Sequence, residues 1–234
     1  MSLSAPIHIL KREARQLARA EAIALHTALD RIAAREGYRA WSLLMAKLPA
    51  RTTARTLLSK LEAGDLVLLA ARPAQGKTRL SMELLFEGIT EGRHGAFFTL
   101  EYAPQDVVGL MSQLGLEEAP THLRIDTSDV INADYVIEEM AHARHGDIIV
   151  IDYLQILDQR REHPSLMSQV RALRAFAQAQ GVIIVCISQV DRGFNADTRV
   201  FPGPDDVRLP NPLDLNLFTS TCFVSEGRLK ISNT

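Results

Sequence analysis

The feature that most constrains the fold is a pair of short apolar runs, 148–152 and 182–188, each of which ends in a polar residue. Both runs are rich in isoleucine and valine, which favour strands. A strand that is apolar at nearly every position is buried on both faces of its sheet, as happens when helices cover both sides of a parallel sheet. These two runs therefore predict an α/β domain.

The same alternation extends over residues 57–234, which we predict to form the main domain. Predicted strands occupy residues 65–70, 96–100, 123–126, 148–152 and 182–188, and predicted helices occupy 78–90, 104–114, 133–144 and 166–179. Two further strands, 219–224 and 228–231, flank a Ser-Glu-Gly turn and predict a terminal hairpin. Strands that alternate with helices predict a mostly parallel central sheet flanked by helices.

Residues 1–50 predict a small helical segment, followed by a linker over residues 49–56. Apolar residues recur at three- and four-residue steps from Ile9 to Leu29, which is typical of an amphipathic helix, and Trp41 is expected to anchor the segment. Residues 1–60 hold eleven Lys or Arg against four Asp or Glu. This basic segment fits a nucleic acid or an acidic partner, and it equally fits a solvated helix surface.

The composition excludes several classes of protein. Hydrophobic residues make up 47% and charged residues 23% of the chain, as in globular proteins. No apolar run reaches the roughly 18 residues of a membrane span, and the first residues do not resemble a secretion leader, so we expect a cytoplasmic protein without a membrane segment. Cys186 and Cys222 lack metal-binding spacing and are expected to be core thiols.

A phosphate-binding loop is predicted where the first strand of the main domain meets its first helix. The segment Ala71–Thr78 satisfies the P-loop pattern except that Ala71 stands where the first glycine is usual. In such a loop Lys77 contacts the β- and γ-phosphates and the Thr78 hydroxyl ligates Mg²⁺. The predicted nucleotide-binding residues are Arg72, Pro73, Ala74, Gln75, Gly76, Lys77 and Thr78, with ATP and Mg²⁺ as cofactors. The alternative is an ordinary strand–turn–helix with an incidental Gly-Lys-Thr.

Three further polar residues end predicted strands. Asp152 is expected to support Mg²⁺, Glu101 to activate the attacking water, and Gln189 to sense the γ-phosphate. Because the carboxyl ends of parallel strands share one edge, we expect all three beside the phosphate loop. The predicted catalytic residues are thus Glu101, Lys77 and Gln189, and the predicted metal ligands are Thr78 and Asp152. Each alone could be an ordinary polar strand end, whereas their shared edge favours a site.

These segments resemble the motor domain of DnaB-type replicative helicases over roughly residues 60–231. Gly64–Thr78 is similar to the family's first motif, including its alanine in place of glycine and the Ala-Arg-Pro that follows. The other similar segments are Thr99-Leu100-Glu101, Asp152-Tyr153-Leu154-Gln155, Ser188–Arg192 and Asp206-Val207-Arg208. The resemblance implies a RecA-like P-loop NTPase fold, Mg²⁺-dependent ATP hydrolysis, a role in DNA replication, and a hexamer-like ring as the homo-oligomer.

Contact with single-stranded DNA is predicted for two loops that leave the same edge, since in RecA-like motors the corresponding loops face the central strand. The arginines in and beside these loops are Arg160, Arg161, Arg192, Arg199 and Arg208. Guanidinium groups there are suited to binding phosphates, and Phe194 is a candidate for base stacking. The alternative is that these arginines only solvate exposed loops.

Two departures from the family pattern keep other functions open. Residues 209–213 do not follow the family's fourth motif, and residues 228–234 lack the Lys-x-Arg element with which the family reaches a neighbour's nucleotide. We therefore expect slow hydrolysis by one chain alone. The favoured function is a helicase-like ATPase acting on single-stranded DNA. The alternatives are a nucleotide-dependent switch or loader that binds a protein partner without unwinding DNA, and a non-catalytic binding module.

Overall fold

The computed structural model of the chain describes residues 3–5, 7–47, 54–114, 120–158, 163–191, 193–194, 199–209 and 211–233. The chain divides into two compact units, Met1–Arg51 and Thr52–Thr234. The first unit is helical and the second contains the sheet, and each is built around its own buried side chains.

The first unit consists of helices α1 (Ile7–Ala20), α2 (Leu25–Arg35) and α3 (Trp41–Lys47). Leu10, Ala14, Ala28 and Ile32 form its core, and Trp41 packs against them, which confirms its expected role as an anchor. The helical periodicity from Ile9 to Leu29 falls on two helices, α1 and α2. The chain turns at residues 21–24, and Leu25, the first residue of α2, is 45% exposed.

The second unit contains a seven-stranded sheet in the order β3-β2-β4-β5-β1-β6-β7. All neighbouring strands are parallel except the last pair, β6 and β7. The predicted α/β fold with a mostly parallel sheet is therefore confirmed. The strands are β1 (Leu66–Ala71), β2 (Gly95–Thr99), β3 (Leu123–Asp126), β4 (Ile148–Asp152), β5 (Ile183–Gln189), β6 (Ser220–Ser225) and β7 (Arg228–Asn233).

Helices cover both faces of this sheet. They are α4 (Ala54–Leu58), α5 (Lys77–Thr90), α6 (Pro104–Gln113), α7 (Ala133–Glu139) and α8 (Leu166–Gln180), with 3₁₀ turns at Leu154–Asp158, Pro204–Asp206 and Leu215–Leu217. None of the helices in the described ranges is long and apolar enough to cross a membrane.

Two predicted boundaries in this unit are wrong. The linker expected over 49–56 lies partly outside the described residues, and its last residues begin α4, whose Leu57 and Leu58 are buried against the sheet. The helix expected over 133–144 ends at Glu139, and residues 140–142 and 145–146 form turns instead. Beyond the helix, the buried carboxylate of Asp147 accepts the Arg144 N–H at 2.7 Å.

The apolar strands bury alternate side chains on opposite faces. Leu66 and Leu68 join one core cluster with α7 and α8, whereas Val67 and Leu69 join a second cluster with α4, α5 and α6. Cys186 and Cys222 are free, buried thiols, as expected, and burial raises the pKa of each to about 12. A sheet covered in this way exposes only its edges, so the carboxyl ends of β2, β4, β5 and β1 stand side by side.

Candidate functional site

The phosphate loop joins the end of β1 to the start of α5. Gly76 caps α5 with a φ of 83°, and Ala74 also has a positive φ, 60°. Glycine adopts such angles freely, whereas for alanine they cost about 1–2 kcal/mol. Strained residues of this kind cluster at ligand-binding sites. The loop is therefore shaped by two left-handed positions just before the helix N-terminus.

The alanine that replaces the usual first glycine does not disturb this loop. Ala71 is fully buried at the end of β1, where it pairs with Gln189 of β5 and Val224 of β6. It lies in regular strand conformation, so no glycine is required there. The departure from the common P-loop pattern thus has a structural reason.

Lys77 and Thr78 are the first two residues of α5 and are only 8% and 7% exposed. Lys77 forms no salt bridge or hydrogen bond with another described residue, so its ammonium group remains available to a ligand. Thr78 donates its hydroxyl hydrogen to the Asp152 carboxylate, with 2.9 Å between Thr78 Oγ1 and Asp152 Oδ2. This bond joins the phosphate loop directly to the end of β4.

Asp152 is fully buried and its environment favours a cation. The pKa of Asp152 is raised to about 6, and burial is the main cause. The hydrogen bond from Thr78 and the Lys77 ammonium oppose this rise, whereas the Glu101 carboxylate adds to it. Its second oxygen, Oδ1, is buried without a hydrogen-bond partner among the described residues. Such an oxygen is costly unless a donor or a metal satisfies it.

This donor set fits the predicted magnesium ion. A hydroxyl and a carboxylate are hard oxygen ligands, and Mg²⁺ bound with a nucleotide takes only one or two ligands from the protein, the remainder being phosphates and water. Thr78 and Asp152 could hold the ion between the loop and β4.

Glu101 lies two residues beyond the end of β2, and Thr99 pairs with Asp152 in the sheet register. Its backbone N–H donates to Thr99 Oγ1 at 3.1 Å, which fixes the turn that carries it. The Glu101 side chain is exposed, and its charge acts on Asp152. A carboxylate placed here is open to water and close to the metal-binding edge.

Gln189 is the last residue of β5 and pairs with Ala71, the residue that precedes the phosphate loop. The next residue, Val190, donates its N–H to the Ala71 carbonyl at 2.9 Å. The Gln189 carbonyl accepts the N–H of Arg208 at 2.8 Å. Gln189 is therefore held between the phosphate loop and the segment that carries Arg208.

The sheet brings together all the residues predicted for nucleotide, metal and catalysis. Their strands are neighbours in the order β2, β4, β5 and β1. The last residues of β2 and β4, Thr99 and Asp152, are paired, and so are the last residues of β1 and β5, Ala71 and Gln189. The shared edge on which their predicted chemistry depends is therefore present.

The predicted DNA-binding arginines are less well defined. Arg160, Arg161 and Arg192 lie outside the described residues. Arg199 is ion-paired with Asp206 at 2.6 Å, and its guanidinium lies 5.1 Å from the centre of the Phe194 ring. The side chain of Arg208 is exposed. These two arginines belong to one short segment near Gln189.

Phe194 is not a base-stacking platform. It is only 4% exposed, and its ring packs in the core beneath Arg199. Because stacking needs an accessible ring face, the expectation for Phe194 is wrong.

Sequence patterns missed the contacts of two side chains at the site, Gln75 and Gln155. The Gln75 side chain accepts the N–H of Glu226 at 3.0 Å, which ties the phosphate loop to the β6–β7 turn. Gln155 bonds to Ser188 and to Arg208. Gln155 belongs to a segment with family resemblance, so its position was a usable signal. The partner of Gln75 is 151 residues away in the chain, and no local pattern identifies it.

The fold and the polar strand ends define the class of protein: this is the architecture of RecA-like ATPase domains. A DnaB-like replicative helicase, solved in a study of its interactions with primase, superposes with a TM-score of 0.59 at 16% identity, over 97% of this chain and 73% of that one. A KaiC-like protein of the hyperthermophilic archaeon Pyrococcus horikoshii superposes with a TM-score of 0.52 at 19% identity, over 68% of this chain and 70% of that one. At these identities the likeness establishes the fold.

Sequence relatives give the lineage. A probable plasmid replicative DNA helicase of Chlamydia trachomatis is 25% identical over 207 residues, which is 70% of this chain and 46% of the relative. The replicative DNA helicase DnaB of Geobacillus stearothermophilus is 25% identical over 188 residues, 65% of this chain and 41% of the relative. The chain is thus related to DnaB-type replicative helicases, and the resemblance inferred from its motifs is confirmed. It spans less than half the length of these relatives, and no family model matches it.

Proposed function

We propose that this chain binds and hydrolyses ATP with Mg²⁺ at the carboxyl edge of β2, β4, β5 and β1, and that it acts on single-stranded DNA. A cytoplasmic location goes with this proposal. The observation that carries it is the 2.9 Å hydrogen bond between Thr78 of the phosphate loop and the buried Asp152. A carboxylate beside a helix N-terminus is common in ordinary structures, but the second oxygen of Asp152, Oδ1, is buried without a hydrogen-bond partner among the described residues, which favours a bound cation.

The residues divide the chemistry among them. Phosphate oxygens are bound by the N–H groups of residues 74–78 and by the Lys77 ammonium. Thr78 and Asp152 would hold Mg²⁺, which would supply positive charge to the phosphates when bound. Glu101 accepts a proton from the attacking water, whose oxygen bonds to the γ-phosphorus while the bond to the β-phosphate oxygen breaks. Gln189 donates an amide hydrogen to the γ-phosphate and so distinguishes ATP from ADP.

DNA contact and assembly form the second part of the proposal. The side chain of Arg208 is exposed, and its backbone is hydrogen-bonded to Gln189. A DNA phosphate bound by Arg208 would therefore be linked to the nucleotide site through Gln189. Assembly into a hexamer-like ring would let a neighbouring chain supply a cation at the transition state, which contributes about 10³–10⁵ in turnover in P-loop enzymes. Because residues 228–234 lack the family's Lys-x-Arg element, that cation would come from a different arrangement of residues.

Phosphate release from ATP by the full chain tests the first part. We expect release that requires Mg²⁺ and that falls in Thr78→Val, because the valine keeps the shape and removes the ligand oxygen. Thr90→Val is the matched control, since the Thr90 hydroxyl bonds only to the exposed end of α5. Nucleotide binding that is absent in the parent chain, or unchanged phosphate release in Thr78→Val, would overturn the assignment of the site.

Adding oligothymidylate and varying the protein concentration tests the second part. Stimulation by the oligonucleotide, and turnover that rises with concentration, support a motor that works as an assembly. Intact hydrolysis without stimulation favours the switch or loader that binds a protein partner.

A further inference from the structure

Gln155 occupies an unusual place between the two halves of the proposed site. It lies in the 3₁₀ turn Leu154–Asp158, three residues beyond Asp152. Its amide Nε2 donates to the Arg208 carbonyl at 2.7 Å and to Ser188 Oγ at 3.1 Å. One side chain from the end of β4 thus reaches both β5 and the segment that carries the exposed Arg208.

The orientation of this amide is determined by its partners. A backbone carbonyl can only accept a hydrogen bond, so the nitrogen of the Gln155 amide must face Arg208. The other end, Oε1, is buried and has no partner among the described residues. Among the described residues, the Gln155 amide is therefore held through its nitrogen, by Arg208 and Ser188.

Arg208 is held on both sides of its backbone. Its N–H donates to the Gln189 carbonyl at 2.8 Å, and its carbonyl accepts from Gln155 at 2.7 Å. The adjoining residues form a short antiparallel contact, with Val190 opposite Val207 and the Asp191 N–H bonded to the Asp206 carbonyl at 2.7 Å. Arg208 is therefore bonded both to the end of β5, through Gln189, and to the 3₁₀ turn after Asp152, through Gln155.

We propose that Gln155 is a positioning residue that couples the nucleotide site to Arg208. Removal of Gln155 leaves the bond from Arg208 to Gln189 and the contact at Val190 in place, but it frees the Arg208 carbonyl from β4. A change at Asp152 on nucleotide binding then no longer reaches the Arg208 backbone through Gln155, and the only route left among these bonds runs through Gln189. This inference rests on the proposed nucleotide site and adds a route by which that site controls an anion-binding segment.

Hydrogen–deuterium exchange of the full chain is the direct test, with and without a non-hydrolysable ATP analogue and Mg²⁺. In the parent chain we expect the analogue to change exchange in residues 203–209. In Gln155→Leu and in Gln155→Glu, neither of which can donate to the Arg208 carbonyl, we expect this response to weaken, because only the bond to Gln189 remains, while analogue affinity stays within about twofold. Gln178→Leu, an exposed position on α8, is the matched control and should respond like the parent.

Oligothymidylate affinity gives a second readout. Coupling between sites typically changes affinity about 5- to 150-fold, and we expect the ratio of oligothymidylate affinities with and without nucleotide to be smaller in both variants than in the parent. If Gln155→Leu fails to fold, Gln155→Glu, which preserves the size of the side chain, carries the test.

The outcomes separate this inference from the proposed function. A parent chain that binds no nucleotide overturns the proposed function and this inference with it. Nucleotide binding with no response in residues 203–209 of the parent, or with the same response in both variants, overturns the coupling alone and leaves Gln155 as a structural amide.

Discussion

The nucleotide edge and the segment 199–209 lie at the same end of the sheet, yet they are built differently. At the nucleotide edge Thr78 and Asp152 are buried, bonded to each other and carried by regular elements. In the segment 199–209, Arg199 is more than half exposed and is held by its ion pair with Asp206 and its contact with the Phe194 ring. The Arg208 side chain is exposed, and the bonds that hold this residue to other described residues are those of its backbone. Strand pairing positions the first region, whereas a few local contacts position the second.

The difference indicates a division of tasks. Groups that must meet a phosphate and a metal with small tolerance benefit from a rigid supporting shell. Side chains that bind a flexible single strand depend more on their positive charge and their length than on a fixed geometry. The two regions should therefore respond very differently to substitution, and the following predictions measure that contrast.

The largest effect is expected at Glu101. Glu101→Gln removes the proton acceptor for the attacking water and should reduce turnover by about 10²–10⁴-fold, the usual contribution of a general base. Nucleotide affinity should change little, because Glu101 lies beyond the phosphate loop. Single-turnover phosphate release and analogue binding measure the two quantities. The exposed Glu138 provides the control Glu138→Gln, and equal turnover in parent and Glu101→Gln would show that Glu101 is only a strand-end residue.

Lys77→Ala should weaken ATP binding by roughly 10- to 150-fold, since hydrogen bonds to charged groups contribute about 1.5–3 kcal/mol. The lysine is mostly buried at the start of α5 and has no other partner among the described residues, so its removal leaves the phosphate charge uncompensated. Titration with a fluorescent ATP analogue gives the affinity, and the exposed Lys60 supplies the control Lys60→Ala. An unchanged affinity contradicts the role of the phosphate loop.

Neutralising Arg160, Arg161, Arg192 and Arg199 together should reduce the salt dependence of oligothymidylate binding. Each lost phosphate contact reduces the steepness of log K against log salt concentration by about 0.7 on single strands. Four such contacts make the DNA affinity fall roughly 50-fold more when the salt concentration rises fourfold. Arg144, which lies before β4 at the opposite edge, provides a control. Binding by the quadruple variant that is as tight and as salt-sensitive as in the parent excludes these loops as the DNA site.

The smallest effect is expected for Arg199→Ala on folding stability. The Arg199–Asp206 pair is 2.6 Å long, but the arginine side chain is 55% exposed, and exposed ion pairs contribute about 0–1 kcal/mol. Urea unfolding of the variant, beside Arg55→Ala at the more exposed Arg55–Glu87 pair, measures the difference. A loss above about 2 kcal/mol, twice the upper end of that range, would mean that this segment is as firmly built as the nucleotide edge, and the contrast between the two regions would fail.

The placement of the candidate site residues at one edge of the sheet was predictable because it depended on strand ends. Asp152 and Gln189 end apolar runs whose burial forces them into one parallel sheet, and Glu101 follows directly after another strand, so all three must reach one edge whatever the details of the loops. Ala71 was a departure from the usual pattern, and its place inside β1 explains why the chain tolerates it.

Prediction failed where a contact between distant segments decides the result. The sequence offered Phe194 as a ring for base stacking, but in the fold this ring is buried in the core with Arg199 over it. The periodicity from Ile9 to Leu29 continues across a turn, because three- and four-residue steps do not reveal where the backbone leaves the helix.

The sequence by itself determined the fold class, the phosphate loop and the set of polar strand ends, since these follow from local apolar patterns and from the shared edge of parallel strands. Only the tertiary structure decided that Gln155 and Gln189 hold the backbone of Arg208 between them, and that Gln75 binds the β6–β7 turn. Those bonds join residues far apart in the chain, and a hydrogen bond depends on distances of a few tenths of an ångström that no local pattern specifies.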